Sequence, residues 1–183
     1  YKTPADCEAS IAGVYSQLQT IYNRNYLEAI VLREDAIKNM NNNITRFTDT
    51  STEKTWETAW KSLWVLVARS NKVLDNIDRV VFSDESQKSH IKGEAYAMRG
   101  LAYLQFAWCW GGSPLITTDL SLAELRKVKR SSQEETYQQA IKDFELAYEM
   151  LPEKRSGTEV GRITKYAMAG MLGRTYLLSL IHI

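Results

Sequence analysis

The chain has 183 residues, 44% hydrophobic and 25% charged, which is enough for one medium-sized domain with a real core. Its 23 Lys and Arg against 22 Asp and Glu leave a formal charge of +1, so no strong global field is available to attract nucleic acid or an anionic membrane. No run of 18 or more apolar residues occurs, so no spanning helix is expected, and Cys7 and Cys109 stand in no Cys/His spacing that would hold zinc.

In chain order, Asp6 is placed to cap a first helix whose stripe is Ile11, Val14, Tyr15, Leu18 and Ile21. A second helical piece is expected over 26–40, broken by the turn-forming "NMNNN" of 39–43 and followed by a polar loop to about Thr52. From Thr55, the pattern Trp56, Trp60, Leu63, Trp64, Val67, Val73, Leu74, Ile77, Val80 predicts a long helix at 3.6-residue spacing. Ser83 or Asp84 caps the next, which runs to Trp110, where Gly111-Gly112 and Pro114 stop it. Over 95–110 this helix is apolar or small on almost every side, the mark of a central helix with several neighbours.

Beyond it, "SPLITTD" reads as a short extended segment and "RKVKR" as a basic loop. Ser131 or Ser132 then caps a helix to Leu151, with Ser132 and Glu135 spaced as a capping box and Pro152 closing it. A loop over 153–162 precedes a last helix from Thr164 through Tyr176. No strand pattern is visible, so the class is all-α.

Two helix signatures recur. Ala140, Phe144, Ala147 and Pro152 have the spacing of the second helix of a tetratricopeptide repeat, in which small residues let helices approach and Phe fills the gap. Tyr96, Gly100 and Tyr103 fit the first-helix signature; Leu172, Gly173 and Tyr176 fit its later part, with Ala169 replacing the aromatic residue. The intervening insertions are too long for a regular array. The expected architecture is therefore an irregular tetratricopeptide-like helix-pair bundle with long loop insertions.

Three motifs carry a resemblance in the same order as in a known family. "GEAYAMRGLAYLQFAWCWGGSPLIT" is similar to a Glu/Arg/aromatic helix running into a Gly-x-Pro-Leu loop, matching at Glu94, Arg99, Gly100, Tyr103, Gly112, Pro114 and Leu115. "RSSQEETYQQAIKDFELAYEMLP" and "GRITKYAMAGMLGRTYLL" follow, and "ARSNKVLDNI" precedes. Together they resemble the SusD/RagB family of outer-membrane nutrient-binding proteins over about residues 60–178, and more weakly over 1–55. The resemblance implies a non-catalytic surface lipoprotein that captures an oligosaccharide or other nutrient and delivers it to a SusC-like TonB-dependent transporter. Its membrane association would be through a lipid anchor absent from this chain. A tetratricopeptide-type adaptor for a protein or peptide is the alternative.

Residues 1–177 are expected to be the N-terminal helical part of such a protein, truncated at both ends. The last six residues, "LSLIHI", match a translated sequencing-library adapter, so 178–183 are expected to be read-through, and His182 to carry no functional information. No nucleophilic triad, Walker loop or paired-carboxylate pattern is evident, so neither catalysis, a cofactor, a metal nor a nucleic-acid partner is expected. His90 reads as a surface residue, and Glu94 and Arg99 as structural charges, paired or snorkelling.

Trp56, Trp60 and Trp64 share one helix face and suit core packing or, alternatively, a flat platform for a sugar ring. The better binding candidate is the polar loop 39–52, holding Asn41, Asn43, Arg46 and Phe47 and leading to Trp56; a flexible surface loop with no ligand is the alternative reading. Amides and a guanidinium give directional bonds to sugar hydroxyls, and an aromatic ring covers the C–H face.

Overall fold

The first helix, α1 (Pro4–Thr20), is capped by Thr3 rather than Asp6. Pro4 suits the first helical position, where no amide hydrogen is needed. Asp6 is instead the third residue of a capping box, its carboxylate accepting from the Thr3 backbone N–H at 3.0 Å. The computed structural model describes residues 1–25 and 43–180, so the helix expected over 26–40 and residues 181–183 lie outside the described residues.

Helix α2 (Lys54–Ile77) begins one residue before Thr55 and ends short of Val80. Val80 and Phe82 are nonetheless buried. The apolar spacing runs past Ile77 because the core continues there, although the helix does not. Helix α3 (Glu85–Trp110) is capped by Asp84 and ends at Gly111 in the left-handed conformation, φ 74°. Gly112, at φ 140°, lies so close to the next segment that a Cβ would stand 2.5 Å from the Ser131 carbonyl oxygen.

A four-residue helix, α4 (Leu122–Leu125), with its own Ser121/Glu124 capping box, occupies what reads in the sequence as loop. Four exposed residues are too few to show a period. Helix α5 (Gln133–Met150) has the expected Ser132/Glu135 capping box. A short 3₁₀ turn, Gly157–Glu159, precedes α6 (Lys165–Leu180).

Helix α3 is the centre, with α1, α2 and α5 packed on it; α6 packs on α5. Helices α3 and α5 run antiparallel. Gly93 lies by Met150 and Leu151, Gly100 by Asp143 and Phe144, and the Ala107 carbonyl accepts from Gln133 Nε2 at 2.9 Å. A Cβ on Gly100 would fall 2.9 Å from the Phe144 ring, so the close approach requires glycine there. Phe144, Ala140 and Ala147 are fully buried in this contact, as the repeat signature predicts. Among the described residues there is no strand, and no helix is long and apolar enough to cross a membrane.

Candidate functional site

The motif residues Glu94, Arg99 and Tyr103 build internal scaffolding. Arg99 donates through Nε and Nη2 to the two carboxylate oxygens of Asp143, at 2.9 and 2.7 Å, with both side chains buried. Its Nη1 donates to Asn71 Oδ1 at 2.9 Å and to the Thr117 carbonyl at 2.8 Å. Asn71 Nδ2 donates in turn to the carbonyls of Ile116 (2.9 Å) and Thr118 (3.3 Å). The Tyr103 hydroxyl donates to the Ile116 carbonyl and accepts from its N–H, both at 2.8 Å. Among the described residues the extended segment after Pro114 has no strand to pair with, and buried side chains from α2 and α3 bond its backbone.

Glu94 anchors a second network. Its Oε1 accepts from Arg155 Nη2 at 2.5 Å, and its Oε2 lies 3.5 Å from Arg162 Nη1. Arg155 also reaches Glu159 (3.0 Å) and Arg162 reaches Glu8 (2.8 Å), while the Ile163 N–H donates to the Tyr15 hydroxyl at 3.1 Å. These bonds clamp the 155–163 loop across α1 and α3. Burial pushes the Glu94 carboxyl up to about 7, with the two arginines offsetting only part of the desolvation.

The aromatic face of α2 meets the end of α3. Trp60 packs on Phe106 at 4.6 Å and Trp110 at 5.4 Å between centroids, and Trp64 on Phe106 at 4.8 Å. Both tryptophans are half-buried core packing of the kind their spacing suggests. Trp56 sits at the rim, edge-on to Trp110 at 5.9 Å, with its Nε1 donating to Asp49 Oδ2 at 2.8 Å.

That bond joins Trp56 to the loop carrying the other candidates. Asn43 to Phe47 forms a tight turn, closed by Phe47 N–H to the Ile44 carbonyl (3.2 Å) and Thr48 N–H to the Asn43 carbonyl (3.0 Å). Ile44 is fully buried and pins the turn to the body. Asn43 Nδ2 donates to Glu53 Oε2 at 3.4 Å. Phe47 is held at φ 54° and is 63% exposed, and Arg46 is exposed beside it. A left-handed backbone costs a bulky residue about 1–2 kcal/mol, and strain of this kind gathers at functional sites.

Asn43, Arg46 and Phe47 thus share one turn, tied to Trp56 through Asp49; Asn41 lies outside the described residues. Gly173 and Tyr176 stand apart, exposed on α6. Sequence reasoning missed Asp49, which no pattern links to Trp56. Asn71 and Asp143 lie within the quoted motifs, but their bonds to Arg99 span 28 and 44 residues. A separate cleft of about 300 Å³ lies between α2 and the 116–125 segment, lined by Trp64, Val67, Asn71, Thr118, Leu120 and Leu125 among others. Among the described residues no group of three His, Cys, Asp or Glu side chains is placed to hold a metal.

The fold and sequence have clear relatives. A SusD-like family described as starch-binding and associating with the outer membrane matches residues 3–177. A SusD-like protein of Formosa agariphila is 29% identical over 159 residues, covering 80% of this chain and 30% of its own length. The chain therefore spans about a third of that relative. A laminarin-binding SusD-like protein superposes with TM-score 0.83 at 22% identity, over 97% of this chain and 40% of its own. A structure determined with a xylogluco-oligosaccharide gives TM-score 0.79 at 25% identity, over 93% of this chain and 34% of that one. With the family match running over nearly its whole length, the chain belongs to the SusD-like family.

Proposed function

We propose that this chain is the helical scaffold part of a non-catalytic glycan-capture protein at the outer-membrane surface. The observation that carries the reading is the family match over residues 3–177, from a family described by starch binding and outer-membrane association. A similar protein named as laminarin-binding, and another whose structure was determined with a xylogluco-oligosaccharide, support an oligosaccharide as the ligand class. Captured ligand passes to a SusC-like TonB-dependent transporter, and a lipid anchor outside this chain holds the protein at the membrane.

Within the chain, the 43–56 region is the part of the site we assign to ligand. Phe47 offers an exposed ring, Arg46 and Asn43 offer donors, and Trp56 fixes the loop through Asp49. Sugar recognition combines such a flat apolar face with a few directional polar groups. The chain spans about a third of its relative's length, so we assign the remaining walls of the site to the rest of a protein of that length.

Affinity electrophoresis against a polysaccharide panel that includes laminarin and xyloglucan tests the reading. The expected result is weak retardation of the 183-residue chain by at least one glycan, reduced at least about threefold by Phe47→Ala, a loss of about 0.7 kcal/mol. Mobility unchanged by every glycan in the panel would contradict the assignment of this loop to ligand.

A further inference from the structure

Where cations gather on this molecule, carboxylates answer them: Lys88 and Lys92 meet Asp78, and Arg155 and Arg162 meet Glu94 and Glu159. The segment after α4 is different. Arg126, Lys127, Lys129 and Arg130 are all exposed, and none of them is ion-paired among the described residues. The acid just before them, Glu124, is turned back on Ser121, accepting from its N–H at 2.8 Å and its hydroxyl at 2.7 Å. The whole chain has a net charge of +1, so the four cations make a positive patch on a remainder that is net acidic.

The fold brings this patch beside the turn already assigned to ligand. The Arg130 guanidinium donates to the Trp110 carbonyl, and the Ser131 N–H donates to the Ser113 carbonyl at 3.1 Å, so the run starts from the end of α3. Trp110 meets Trp56 edge-on at 5.9 Å, and Trp56 is tied through Asp49 to the turn carrying Arg46 and Phe47. Both tryptophans are half-buried, neither sealed in the core. Contact by contact, the surface passes from an exposed phenylalanine and arginine, past two tryptophans, to a run of cations. Its carboxylates are engaged, Asp49 by the Trp56 indole and Glu53 by the Asn43 amide, whereas Arg46 joins no ion pair among the described residues.

A neutral sugar needs flat apolar faces and a few directional donors, and the 43–56 region has both. Uncompensated cations add attraction only for a ligand that carries negative charge. We infer that the 43–56 region and the 126–130 run form one site for an acidic oligosaccharide. Its sugar rings lie against Phe47 and Trp56, and its carboxylate or sulfate groups lie along Arg126, Lys127 and Lys129. Arg130 is a positioning residue, holding the run to the end of α3. The inference rests on the assignment of the 43–56 region to glycan and adds the charge of that glycan.

Calorimetry on the intact 183-residue chain tests it with matched ligands: oligogalacturonides, and the same oligosaccharides with every carboxylate methyl-esterified. The acid is expected to bind about tenfold more tightly than the ester at low salt, the sum of several weak exposed ion pairs. That preference is expected to fade as salt rises from about 50 to about 500 mM. The triple variant Arg126→Gln, Lys127→Gln, Lys129→Gln changes only exposed side chains and is expected to bind acid and ester alike. Removing as many exposed cations elsewhere, by Lys2→Gln, Arg79→Gln and Lys154→Gln, is expected to keep the preference within about twofold of wild type. Phe47→Ala is expected to weaken both ligands at least about threefold. Acid and ester bound equally by the wild type, and both weakened by Phe47→Ala, would overturn the inference and leave the 43–56 assignment standing. A preference lost equally in the two triple variants would reduce it to total charge and overturn it too. A preference that Phe47→Ala leaves untouched would separate the cations from the turn and overturn the joint site. Binding of neither ligand would overturn both readings. Vesicles of phosphatidylglycerol and phosphatidylcholine bound through the same three side chains, with no preference between the glycans, would assign the run to a lipid surface instead.

Discussion

Arg99 shows how one residue can fix a distant segment. It has 5% exposure and is answered by Asp143 at 0%, so each charge is tolerable only because of the other. Replacing Arg99 with Met leaves Asp143 buried and uncompensated, and is expected to cost about 3–5 kcal/mol in urea unfolding. The double variant Arg99→Met with Asp143→Leu should recover much of that loss, because no buried charge is then left unpaired. Equal losses in the single and double variants would contradict this. Glu94 behaves differently because its carboxyl is pushed up to about 7 by burial. A carboxyl raised in the folded state binds more protons folded than unfolded between its model value of 4.5 and about 7. Its contribution to stability is therefore full below about 4.5 and lost as pH rises through about 7. The stability of the wild type relative to Glu94→Gln is expected to fall over that window and level off above it. A difference independent of pH would show that Glu94 titrates as an exposed carboxyl. Both residues were legible as structural charges from their place in an apolar helix. Their partners were not, because Asp143 and Arg155 lie 44 and 61 residues away and nothing in one sequence links such positions.

At the scale of elements, the helices were legible wherever a long apolar period coincided with a cap. Helix α5 has both, and its bounds match the Ser132/Glu135 signature and Pro152. Replacing Ser132 with Ala removes the side-chain acceptor for the Glu135 N–H and is expected to cost about 1 kcal/mol in thermal unfolding. No change in stability would mean that water satisfies the helix end equally well. Phe144→Ala, deep in the α3–α5 contact, is expected to cost about 3–5 kcal/mol. A loss below about 1 kcal/mol would show that the contact closes around the vacancy. Where legibility failed, the cause was local. Asp6 looked like a cap because aspartate is a good one, but Pro4 sets the helix start earlier. Val80 looked helical because it is buried, and burial outlasted the helix. Helix α4 was invisible because four exposed residues have no period to display.

On the scale of the whole molecule, α3 gathers three helices around it, and two polar networks fix the loops on either side of it. One holds the 116–118 segment against α2 and α3; the other ties 155–163 to α1 and α3. Both loops are thus held to the helices they leave by buried side-chain bonds. The loop proposed to meet ligand stood out in the sequence only as chemistry: amides, a guanidinium and an aromatic ring close together. Its tight turn, the buried Ile44 anchor and the Asp49 tie to Trp56 depend on the folded body. Contact between glycan and the 43–56 region is read out residue by residue in an NMR titration of the 183-residue chain. Oligosaccharides of laminarin and xyloglucan are added while backbone amide and tryptophan indole signals are followed. Shifts are expected to concentrate at 43–56, including the Trp56 indole, and to need at least about threefold more ligand in Phe47→Ala. Shifts concentrated instead at the cleft lined by Trp64 and Leu125, with the 43–56 signals unmoved, would contradict that contact.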